Sequence, residues 1–164
     1  SVMALALDSV FLLAQAALPH LRQGTHPSFI AIGGMTGQSG AKGRPHVVAA
    51  KAGVSGLVKA LAHEVGNDGI TVNCVSPGLI HTQRQGPEPA HHAERRNPLR
   101  RLGTASEVAA AVHMLAGPEA RFITGHTLVV DGGATAGAIA GAPRPGQPVV
   151  RPQRSFAGPS FEAV

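Results

Sequence analysis

The chain has 164 residues and a formal net charge of +5, with a single cysteine, five Phe and neither Tyr nor Trp. That length suits one domain or part of one. One cysteine excludes an internal disulfide, no run of eighteen consecutive apolar residues marks a membrane span, and no basic region precedes the N-terminal apolar run. These bounds predict a cytoplasmic protein that does not meet a membrane. The nine His lack metal-ligand spacing, so no metal is expected. Arg95, Arg96, Arg100 and Arg101 cluster around Asn97-Pro98-Leu99, but no aromatics interleave for base stacking. A solvated loop, not a nucleic-acid surface, is the expectation.

The first element spans residues near 2–22. Val2, Leu5, Val10, Leu13, Ala17 and Leu21 follow a helical period. Further apolar residues surround the cylinder, which predicts burial on more than one side. Pro19 should kink or close it. Ser28–Ile32 is a short apolar run that suits a buried parallel strand. A Gly-rich loop then leads to Pro45, which fits the entry of a long helix to Val65. Val54, Leu57, Val58, Leu61 and Val65 form its large apolar face, and Ala49, Gly53, Gly56 and Ala60 a second stripe of small side chains. Two interior glycines cost about 1 kcal/mol each against Ala, so close packing is expected there.

Ile70–Ser76 reads as the next strand, ended by Pro77-Gly78, and residues 79–103 as a long polar loop. Thr104-Ala-Ser-Glu107 has the spacing of a capping box for a helix over 105–116, stopped by Gly117-Pro118. Thr127–Val130 is the last strand. Cys74 lies in an apolar strand pattern, as a buried structural thiol does. From 134 to 164 the chain is rich in Ala, Gly and Pro and reads as a disordered tail. The element order predicts an α/β fold with a parallel sheet and right-handed crossovers.

Three blocks carry a family resemblance: Gly69-Ile-Thr-Val-Asn-Cys-Val-Ser-Pro-Gly-Leu-Ile-His-Thr82, Pro98-Leu-Arg-Arg-Leu-Gly-Thr-Ala-Ser-Glu-Val-Ala109, and Ile123-Thr-Gly-His-Thr-Leu-Val-Val-Asp-Gly-Gly133. Behind an Ala-Ala-Lys helix, in this order, they resemble the short-chain dehydrogenase/reductases, in the branch with the 3-oxoacyl-carrier-protein reductases. The resemblance covers roughly Val2 to Gly133 and implies an incomplete Rossmann-like parallel sheet, the last three strands of the family's seven. It also implies descent from NAD(P)-dependent reduction of a ketone or 3-oxoacyl thioester. Residues 1–133 are then a truncated domain. Ser28–Ile32 would present an unpaired apolar edge, which natural sheets avoid. A homo-oligomer, or a hetero-oligomer with a complete relative, is therefore the expected partner arrangement.

In the family an Asn, a Ser, a Tyr and a Lys act together. By position, Lys51 matches the lysine; Val47 stands at the tyrosine, Gly34 at the serine and Ala6 at the asparagine. Pro77, Gly78, Ile80 and Thr82, with Lys51, match part of the family's nicotinamide and ribose contacts. No Gly-x-x-x-Gly-x-Gly follows a strand, so the turn that would hold a pyrophosphate has no counterpart. The resemblance implies NAD or NADP as cofactor. The missing acid predicts a chain that is inactive alone; the alternative is an active subunit that completes its site with another chain.

Overall fold

The computed structural model describes residues 1–82 and 97–137. The expected tail beyond Gly137, and Arg95 and Arg96 of the arginine cluster, lie outside those residues. The first helix, α1, opens with a π-helical stretch, Ala4–Asp8, and continues as α-helix over Ser9–Leu21. Pro19 falls within its last turn and the helix runs on to Leu21. Then come β1 (Ser28–Ile32), a short α2 (Thr36–Ser39) and the long α3 (Pro45–Val65). They are followed by β2 (Thr71–Pro77), β3 (Ile80–His81), β4 (Gly103–Thr104), α4 (Ala105–Ala116) and β5 (Thr127–Val130).

The main sheet is parallel, in the order β1-β2-β5. Ser28 is opposite Thr71 on one side of β2, and Cys74 is opposite Thr127 on the other. Alternation along each strand sorts side chains onto two faces. Ala31, Val72 and Cys74 meet Val54, Val58, Ala62 and Val65 of α3, with Leu7, Val10, Leu18 and Leu21 of α1 beside them. Ile30, Val75, Leu128 and Val130 meet Val108, Val112 and Leu115 of α4 on the opposite face. Val54 and Val58 have no exposed surface, and each contributes about 1.5–3 kcal/mol by leaving water. The result is three layers: α1 and α3, the sheet, then α4.

Most helices and strands follow the sequence reading within a residue or so, but α1 departs from it. Of its residues only Ala14 is buried. Leu5, Leu12 and Leu13 are 81%, 58% and 63% exposed. The helix is packed along one stripe, not on several sides. Over Ala4–Leu21 the mean hydropathy is 1.5 and only 6% of the window is buried. By length and composition this one helix among the described residues meets the requirement for a membrane span. Asp8, Ser9 and Gln15 interrupt its apolar run, which is why counting consecutive apolar residues excludes it.

Hydrogen bonds hold both the carboxyl ends of the strands and the entry to β5. Gly33 N–H donates to Val75 O (2.8 Å) and Met35 N–H to Pro77 O (3.0 Å), carrying the ladder past β1 into the Gly-rich turn. Gly78 N–H donates to Val130 O (2.9 Å). Asn73, fully buried, donates through its amide to Ile123 O and accepts from His126 N–H, which pins the approach to β5.

Candidate active site

The Gly-rich segment after β1 turns back over the first half of α3, and three glycines set how close it comes. A Cβ on Gly33 would stand 2.8 Å from Cys74 Sγ. One on Gly37 would stand 2.7 Å from Ala52 N and Lys51 C. Gly37 therefore lets α2 rest directly on the α3 backbone, and no side chain can separate them. Gly34 is less constrained: its Cβ position lies 3.5–3.6 Å from Cγ, Cδ and Cε of Lys51, an ordinary contact distance.

Lys51 is thus laid across Gly34, half-buried, on the helix that the sequence placed it on. No described residue hydrogen-bonds its amine. Val47 lies one helical turn earlier on the same side of α3. Its side chain is half-buried and carries no ionisable group. Ala6 sits in the π-helical stretch of α1, whose Leu7 covers Gly53 of α3. The structure therefore brings Gly34 and Lys51 into contact and places Val47 and Ala6 on the two elements beside them. None of the three residues other than Lys51 can donate a side-chain proton.

Pro77 ends β2, and its carbonyl takes the Met35 N–H, which ties the turn to the Gly-rich segment. Gly78 has the tightest fit, since a Cβ there would lie 2.6 Å from both Cα and Cβ of Asp131. Ile80 is in β3, paired with Gly103 across a two-residue parallel ladder, and the exposed Thr82 follows it. The loop expected over 79–103 is thus clasped at both ends, while its residues 83–96 are outside the described set.

Sequence reasoning missed the residues that close this end of the sheet. Asp131 accepts from the N–H groups of Gly133 and Thr135, both at 2.8 Å. Gly132 and Gly133 press against Asn97 and Pro98, respectively. Asn97 is buried and donates to Arg101 O (2.9 Å). A cavity of about 120 Å³ remains between Met35, Ser39, Leu79, Asn97, Asp131 and Thr135. Met35 of the Gly-rich segment and Leu79 after the Pro-Gly turn both line it. The only sequence signal for this clasp was the Asp-Gly-Gly of the third block, whose two glycines adopt positive φ.

Burial pushes the Cys74 thiol above its ordinary range, partly offset by the Gly33 backbone and the positive charge of Lys51. A neutral buried thiol is a packing group and not a nucleophile. At the start of α4, Arg101 reaches both carboxylate oxygens of Glu107, while Thr104 closes the capping box from its own side. Arg101, the Thr104 N–H and the Thr104 hydroxyl hold the Glu107 carboxyl down at about 2. No cluster of three or more His, Cys, Asp or Glu occurs among the described residues.

Known proteins resemble the chain over most of its length. A family model described as enoyl-(acyl carrier protein) reductase matches residues 1–135. The 3-oxoacyl-[acyl-carrier-protein] reductase FabG of Vibrio cholerae serotype O1 is 41% identical over 138 residues, covering 80% of this chain and 55% of the relative. The FabG of Escherichia coli K12 is 42% identical over 130 residues, 77% of this chain and 53% of the relative. Among solved structures, acetoin dehydrogenase YohF from Salmonella typhimurium superposes with a TM-score of 0.74 at 31% identity, over 84% of this chain and 55% of that one. A 4-hydroxyisoleucine dehydrogenase complexed with NADH gives 0.74 at 29% identity, over 83% and 59%. The chain spans about half the length of the curated relatives it matches. With the glycine-set turn, the lysine helix and the Pro-Gly strand end in place, the chain belongs to the short-chain dehydrogenase/reductase family, on its 3-oxoacyl-carrier-protein reductase-like side.

Proposed function

We propose that this chain carries the nicotinamide-facing part of a dehydrogenase site and, by itself, catalyses no carbonyl reduction. The observation that carries the reading is the pair Val47 and Gly34 around Lys51: a lysine stem seated against Gly34 with no acid at the neighbouring positions. General acid catalysis is worth on the order of 10²–10⁴ in rate, and a valine supplies none of it. Lys51, the Pro77-Gly78 turn, Ile80 and Thr82 fit the nicotinamide and ribose end of NAD or NADP. No Gly-x-x-x-Gly-x-Gly turn follows a strand among the described residues to take the pyrophosphate, so the fit is to half of the dinucleotide.

The substrate class of this lineage is a ketone or a 3-oxoacyl thioester, following the relatives' names. Calorimetric titration with NADH and NADPH, beside a turnover assay on a 3-oxoacyl thioester, tests the proposal. The expected result is weak or no saturable binding and no turnover above buffer. Turnover that disappears in Lys51→Ala would overturn it.

A second reading, an active subunit completed by another chain, is favoured by apolar surface. The outer edge of β1 has no strand beside it among the described residues. The outer face of α1 leaves Leu5, Phe11, Leu12 and Leu13 in solvent next to an open concavity floored by Gly53 and flanked by Leu57. Two copies joined through α1 and α3, or one copy on a complete relative, would cover that face. Both readings take the chain to act in the cytoplasm without a membrane or a nucleic acid. Gel filtration with light scattering decides on association: a compact 16.7 kDa species at all concentrations tested would refute it.

A further inference from the structure

We draw no further inference here: the strongest candidate, the cavity of about 200 Å³ between the β3–β4 pair and the end of β5, has the charged groups on its rim already satisfied within the chain, Arg101 by Glu107 and Asp131 by two backbone N–H groups, so nothing in the structure shows what would fill it.

Discussion

Replacing Gly37 by Ala puts a single methyl group where α2 touches α3. The new carbon would stand 2.7 Å from Ala52 N and Lys51 C, and 3.0 Å from Lys51 Cβ. Two of those three atoms are backbone inside a helix, so no rotamer change relieves the contact. Overpacking of this kind costs roughly 1–3 kcal/mol. Ala gains up to about 1 kcal/mol over Gly in a helix interior, and a short helix returns only part of that. The expected net loss is about 1–2 kcal/mol, a factor of roughly 5–30 in the folding constant. Urea unfolding followed by far-UV circular dichroism measures it. Gly56→Ala is the matched control, because nothing lies within 4 Å of its Cβ position; it should stabilise by about 0.4–1 kcal/mol. The two variants make the same chemical change with opposite signs. If Gly37→Ala is as stable as the parent chain, the close seating of α2 on α3 is wrong, and with it the placement of Lys51 against Gly34.

Other expected outcomes follow from the same contacts. Asn73→Ala removes a buried donor and a buried acceptor and strands Ile123 O and His126 N–H; at about 1–3 kcal/mol per unsatisfied group, the loss should reach roughly 2–4 kcal/mol in chemical denaturation. The Glu107 carboxyl is lowered from 4.5 to about 2, so its contribution to folding is complete above pH 4.5 and is lost as the pH falls through about 2. Glu107→Gln should therefore lower the melting temperature near neutrality, and the gap from the parent chain should close in strong acid. The pair is exposed and the effect small, so melting temperatures must be compared within one buffer series. Val47→Tyr with Gly34→Ser should fold normally, since the serine Cβ meets the Lys51 stem at 3.5 Å. Its turnover on a 3-oxoacyl thioester should stay at background, because the tyrosine would still face half a dinucleotide site.

Local signals were the ones the sequence carried well. The capping box at Thr104 and Glu107 is complete within four residues, and α4 begins and ends where it indicated. Pro45 starts α3, and Thr127–Val130 forms β5 as its β-branched run suggests. What escaped depends on contacts made across the fold. Thr36–Ser39 has no apolar period; it coils because Gly37 can lie on α3. Ile80 and Gly103 pair only because the sheet brings them together. The apolar cylinder of α1 suggested burial all round, yet hydropathy does not say which surface is covered. In the site, the roles of Lys51, Val47, Gly34 and Ala6 came only from the family resemblance. The grip of Asn97, Asp131 and the two glycines on the strand ends was not readable, since it joins segments more than thirty residues apart.

The central position of β2 also has a consequence during synthesis. β1 leaves the ribosome carrying Phe29, Ile30 and Ile32, but its partner in the sheet is made only about 40 residues later, and β5 comes roughly 50 residues after that. At about 5–20 residues per second, several seconds pass before β2 can pair with β1. During that interval α1 and α3 are surfaces on which Phe29 and Ala31 can rest. Helix formation is far faster than translation, so the nascent chain reaches β2 with a helical layer already in place and a strand held ready to receive it.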